Sequence, residues 1–200
     1  MRRAVLFFVC AAALGSACFG QSRVEVRDIV EHPFSADFAP GSRLRLHVRS
    51  GEVHVLGVDE NRISVELSGR KAREAGDLKV RFDRKAGAGE LKIWGGPRND
   101  LTITIRIPKT TDLYARIPFG EVHVENVAGN KDVSLHAGDL TIAVGDSADY
   151  GRVDASVITG EVDADAFGET RGGLFRSFHR DGSGRFRLYA HVGAGQLTLQ

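Results

Sequence analysis

The stretch LYARIPFGEVHV (113–124) decides how this chain is read. Leu113, Ala115 and Ile117 alternate with outward-type residues, two residues follow, then Gly120 and Glu121, and Val122 and Val124 resume the alternation. Alternation with period two belongs to a strand with one buried face. The final pentapeptide, GEVHV, also occupies residues 51–55, and the whole unit recurs. Leu44-Leu46-Val48 leads to Gly51-Glu52 and Val53-Val55. Val153-Ala155-Val157 leads to Gly160-Glu161 and Val162-Ala164, and Leu188-Ala190-Val192 leads to Gly195-Gln196 and Leu197-Leu199. Val133-Leu135-Ala137 runs into Gly138-Asp139 and Leu140-Ile142, and AGAGELKI (86–93) is a looser copy. Repetition on this scale marks a repeating scaffold.

From residue 120 onward the Gly-acid steps lie 18, 22 and 35 residues apart. The first two spacings suit coils of a β-solenoid, short strands joined at tight corners where glycine supplies positive φ and close stacking. The longest gap holds GETRGGLFRSFHRDGSGR (168–185), a loop, a hairpin or one irregular coil. Before residue 110 the strand-like runs are RVEVRDIV (23–30), RLRLHV (43–48), RISVEL (62–67), DLKVRF (77–82), ELKIW (90–94) and LTITIRI (101–107). Their spacing reads as hairpins of a sheet. The one helical candidate, RKAREAG (70–76), is about one turn long. The expected fold class is all-β, sheet-like over 21–110 and solenoid-like (a single-stranded β-helix) over 111–200.

MRRAVLFFVCAAALGSACFGQ opens the chain. Arg2 and Arg3 precede an apolar run that ends in small residues, the pattern of a secretory signal, and the run is short for a spanning helix. Cleavage after Gly20 gives domains of 1–20, signal peptide, and 21–200, mature repeat domain. Cleavage before Cys18 would instead attach a lipid, the one membrane link expected. Cys10 and Cys18 both precede Gly20, so the mature chain has neither disulfide nor thiol chemistry. With Arg2 and Arg3 gone, the 27 basic residues become 25 against 26 acidic ones. That balance, and the lack of a basic-aromatic stripe, argues against nucleic acid as a partner.

Little in the chain carries recognisable chemistry. In GEVHV the valines share one face, so Glu52 and His54, like Glu121 and His123, point the other way. Adjacent stacking of the two copies would build a Glu/His ladder, but their separation by 69 positions argues against it. No HExxH or comparable ligand spacing is present, and no metal or other cofactor is expected. Asp154, Asp163 and Asp165 also face outward. Carboxylates on the outside of a β-helix can hold calcium or a sugar acid, which makes a carbohydrate-active lyase or hydrolase the alternative function. GDSADYG (145–151) contains a Gly-Asp-Ser without the companion blocks of an esterase. Trp94 precedes the turn GGPRND (95–100), where it can cap a sheet edge. Phe175, Arg176, Phe178 and Arg180 form the candidate partner-contact patch, the bland alternative being that the phenylalanines plug the end of the repeat stack. The alternating runs are mostly shorter than the roughly 9–11 residues of a membrane-spanning strand, which disfavours an outer-membrane barrel.

The runs RSGEVHVLGV, PFGEVHVENVAGN, HAGDLTIAVG and ITGEVDADAFG resemble the putative adhesin domain of bacterial exported proteins, and are similar to auto-transporter adhesin heads. The resemblance covers roughly residues 40–200 and departs at GGLFRSFHR (172–180). It implies a β-solenoid-like fold and offers no catalytic residues to carry over. The expectation is an exported, non-catalytic module at the periplasm or cell surface, serving adhesion, envelope scaffolding or protein contact. Its expected partner is an envelope protein or a surface glycan.

Overall fold

Parity across the glycine explains the architecture. On a flat strand, residues an odd number apart face opposite ways. Yet Ile117 and Val122, five apart, are both buried, as are Val48 and Val53, Leu135 and Leu140, Val157 and Val162, and Val192 and Leu197. Each repeat must therefore change face once. It does so at its glycine, where φ is +124° at Gly51, +136° at Gly120, +126° at Gly138, +139° at Gly160 and +137° at Gly195. Because neighbouring repeats stay in register through the glycine, they all bend at the same level.

The structure, a computed structural model, describes residues 22–97 and 99–200, with backbone alone over 169–175. The signal-peptide and Cys18 lipid-anchor expectations lie outside the described residues. Among those residues the strands are β1 (Ser22–Arg27), β2 (Phe34–Asp37), β3 (Arg43–Val48), β4 (Ser50–Val58), β5 (Arg62–Ser68), β6 (Lys79–Lys85) and β7 (Ala88–Trp94). They continue as β8 (Thr102–Pro108), β9 (Asp112–Glu125), β10 (Lys131–Ile142), β11 (Tyr150–Ala164), β12 (Glu169–Asp181) and β13 (Phe186–Leu199). All pair into one open sheet that does not close as a barrel. The fold is all-β.

The bend gives that sheet two leaves. Before the glycines the order is β1-β6-β7-β3-β9-β10-β13-β11-β12. Beyond them β2-β5-β8-β4 replaces the first four, and β9, β10, β13, β11 and β12 continue across the bend. The run from β7 through β3, β9, β10 and β13 to β11 is parallel throughout. Antiparallel pairs flank it: β1–β6–β7, β2–β5–β8 and β11–β12. The buried side chains of both leaves belong to one hydrophobic core.

Several expectations change against this frame. The two GEVHV copies are direct neighbours, with Glu52 opposite Glu121 and His54 opposite His123. The segment between the copies includes β5 to β8, which pair outward and return the chain to the stack. Within residues 168–185, Glu169–Asp181 form β12, a hairpin partner of β11. That excursion lets β13 enter between β10 and β11, so the repeats do not stack in chain order. RVEVRDIV ends as a strand at Arg27, because Asp28 turns the chain with φ +61°. RKAREAG keeps only a single 3₁₀ turn, Ala72–Glu74.

The glycines are also required sterically. A Cβ on Gly138 would sit 1.9 Å from the carbonyl oxygen of Gly120, one on Gly120 2.0 Å from that of Gly51, and one on Gly160 1.8 Å from that of Gly195. Backbone meets backbone there, so nothing can swing aside. Gly138→Ala is expected to destabilise the chain by more than about 3 kcal/mol or to prevent folding, since it adds strain to overpacking. Gly145→Ala, with φ +76° and open space around it, should cost only about 1 kcal/mol. Chemical denaturation of the two variants compares these outcomes.

One inward position breaks the apolar pattern, and it corrects the shortened copy expected at Val133-Leu135-Ala137. The unit is full-length, with Lys131, Val133 and Leu135 inward and Ala137 half-buried opposite Phe119. Leu44, Leu113, Lys131, Leu188 and Val153 share a register column, and Lys131 is buried within it. Its ammonium donates to the Tyr150 hydroxyl. Burial lowers the Lys131 pKa from 10.5 to about 8, and burial raises Tyr150 from 10.0 to about 12. Below about pH 8 the lysine is protonated folded or unfolded, and the folded state carries the full penalty, roughly 3 kcal/mol. Between about 8 and 10.5 the unfolded chain binds more protons, so stability rises with pH. Above 10 the unfolded tyrosine ionises first and stability falls. Stability should therefore peak near pH 10, and Lys131→Leu should abolish the alkaline rise in a pH series of urea melts.

Candidate functional site: a groove along the glycine bend

The strands enter the bend with outward side chains in register. Lys92, His47, Arg116, Ser134 and His191 lie side by side on β7, β3, β9, β10 and β13. Two residues further along, Trp94, Arg49, Pro118, His136 and Ile158 line the same groove, with Gly193 leaving a dip between the last two. The volume is about 980 Å³. Six strands at ~4.8 Å spacing make it about 24 Å long.

The floor is apolar because the bend exposes residues that a flat strand would bury or replace. Phe119 falls in the slip between Ile117 and Val122 and is 55% exposed, and Ile158 is 44% exposed. Phe119 meets the His136 ring edge-on, with centroids 5.7 Å apart. Among the described residues no Asp, Glu, Asn or Gln side chain lines the groove. Its cations differ in their ties. Arg116 pairs with Asp132 at 2.8 Å and lies over the Tyr114 ring, while Lys92 pairs with Glu90 at 2.9 Å. Arg49 has no ion-pair partner among the described residues. The result is an apolar trough along a cationic, donor-rich margin.

The candidate residues read from sequence fall elsewhere. Phe178 is buried opposite Ala155, with its ring stacked on Phe167 at 5.3 Å. Arg180 lies over the same Phe167 ring, 5.0 Å from its centroid. Phe178 thus closes one end of the core, while Arg176 is exposed on the outermost strand, β12. The Phe175 side chain lies outside the described residues. Asp154 sits on the leaf before the bend, opposite His179 and Tyr189, whereas Asp163 sits beyond Gly160 opposite Thr198. The structure brings Asp163 and Asp165 together, and the hydrogen bond and charge of Asp163 hold the Asp165 carboxyl above its ordinary range. It does not bring Asp154 to them.

The Glu/His ladder does form. His54 Nε2 lies 2.9 Å from Glu52 Oε1, His123 Nε2 lies 2.9 Å from Glu121 Oε1, and the two rings are 4.6 Å apart. The Thr102 hydroxyl donates to Glu52 at 2.8 Å; that bond, then the His54 bond, lowers the Glu52 pKa. Each imidazole is tied to a carboxylate within its own copy, a lateral zipper on an outer face. Among the described residues no group of three or more His, Cys, Asp or Glu is placed to hold a metal ion. In GDSADYG, Asp146 accepts from the Ala148 N–H at 2.9 Å and caps a short 3₁₀ turn, while Tyr150 enters the core.

The groove residues went unread because the repeat pattern treats the two residues before each glycine as spacer. The signal was there in apolar spacers, Pro118-Phe119 and Ile158, on an otherwise polar outer face.

The chain matches no family profile and no curated protein sequence. Among solved structures it is similar to one described as a putative cell adhesion protein from Clostridium sporogenes. The TM-score is 0.53 at 14% identity, covering 84% of this chain and 98% of that one. A structure described as a putative adhesin from Bacteroides fragilis aligns with TM-score 0.33 and 11% identity, over 91% of this chain and 99% of that one. The first likeness establishes a shared fold. At that identity, fold is all it carries.

Near Asp154, burial pushes the carboxyl up, but bonds from Arg152 and His179 outweigh it and the net shift is downward. The same bond to Asp154, then that to Asp181, raises the His179 pKa above its ordinary 6.5. The interaction is present below pH 6.5 and is lost as pH rises through the elevated value. Asp154→Asn should bring the His179 titration midpoint down toward 6.5 in an NMR pH series; an unchanged midpoint would show the pair is not formed.

Proposed function

We propose that this chain is an exported, non-catalytic adhesion or envelope-scaffold module, a single β-solenoid-like repeat domain over 21–200 whose contact surface is the groove along the bend. Residues 1–20 direct export; with cleavage before Cys18 instead, a lipid there would be its one membrane link. The observation that carries the reading is the groove itself: Phe119 and Ile158 hold their side chains in solvent on a continuous sheet whose inward apolar side chains are almost fully buried. Exposed apolar surface of this kind, rimmed by charge, marks contact sites. The parallel, in-register stack supports the solenoid-like description, and the fold shared with a structure described as a cell adhesion protein supports the functional class.

The test is cell fractionation with protease accessibility on intact cells of the source bacterium. Degradation by external protease is expected for a surface adhesin. Protection until the outer envelope is opened would favour the scaffold role, and recovery in the cytosol would overturn the proposal.

A further inference from the structure

We infer that the groove binds an acidic, apolar-rich peptide segment of a partner protein. The inference rests on the contact-surface reading above and names the partner's chemistry. Three observations converge on it. The trough is open along its length, so a small molecule or acyl chain laid in it would keep much of its own surface in water, whereas binding sites for such ligands enclose most of them. A polymer that presents one face and keeps the other hydrated has no such difficulty.

The lining chemistry then separates peptide from glycan. The charged side chains of this groove are Arg49, Arg116 and Lys92, which call for an anionic ligand. Among the described residues its side-chain acceptors are limited to Ser134 and the histidines, fewer than a neutral sugar's many hydroxyls call for. The apolar lining of Ile117, Pro118, Phe119, Leu135 and Ile158 suits aliphatic and aromatic side chains. Charge fixes the rest. The groove is cationic along one margin, and Arg49 carries a guanidinium with no carboxylate already on it among the described residues. A Glu or Asp of the partner would meet that fork bidentately. The Phe119 ring, edge-on to His136 beside it, offers the apolar anchor.

A display library of random linear peptides panned on the full chain tests this directly. Enriched peptides should carry Glu or Asp next to Leu, Ile or Phe. A synthetic enriched peptide, followed by fluorescence anisotropy, should lose roughly tenfold or more in affinity on Arg49→Glu, and again on Ile158→Lys. Both sites are on the surface, and unchanged circular dichroism and melting would show that the variants fold. Its affinity should also weaken as salt rises. Enrichment without acidic residues, or affinities indifferent to both substitutions, would overturn the inference. So would binding of oligogalacturonate or anionic phospholipid vesicles that depends on Arg49 and Ile158 while peptides fail to bind. The cell-surface experiment is independent: a surface-exposed chain that ignores acidic peptides would retain the adhesion reading and lose this one.

Discussion

Backbone approaching backbone at the bend is the constraint on which everything else depends. At Gly120, Gly138, Gly160 and Gly195 the Cα of one strand sits so near its neighbour's carbonyl that no side chain can be admitted. The positive φ there takes up a one-residue slip in parity, which sends both halves of the strand's apolar residues into the same core. One glycine per strand, repeated in register, therefore converts an extended sheet into two leaves enclosing a core.

The groove follows from the same slip. A strand that changes face must pass through residues that belong to neither face, and Phe119 is one of them. Because the slip falls at the same level in successive strands, these residues align across the sheet into a trough, with outward residues of the preceding turn along its margin. Fold and surface thus have one origin, and a substitution that relieved the bend would remove the groove with it.

Much of the fold was legible beforehand. The period-two alternation marked the strands, and the recurring glycine marked the bend, because both patterns reflect local geometry that each strand imposes on itself. The adjacency of the two GEVHV copies was not legible, nor was the entry of β13 between β10 and β11. Sequence separation says nothing about which strands pair when excursions such as β5–β8 and β12 can leave the stack and return. The candidate patch divided for a related reason: Phe178 faces Ala155 across β12 and β11 and is therefore core, a fact set by pairing register.

By itself, the sequence determined the all-β character, the repeated unit, most of the inward-facing residues and the position of each bend. These depend on backbone periodicity and on what glycine alone can adopt. Only the tertiary structure decided the stacking order, the Glu52–His54 and Glu121–His123 zipper, the burial of Lys131 against Tyr150, and the assembly of Arg49, Phe119, His136 and Ile158 around one trough. Those features are made by side chains from strands distant in sequence, and lateral pairing, which carries no local signature, is what brings them together.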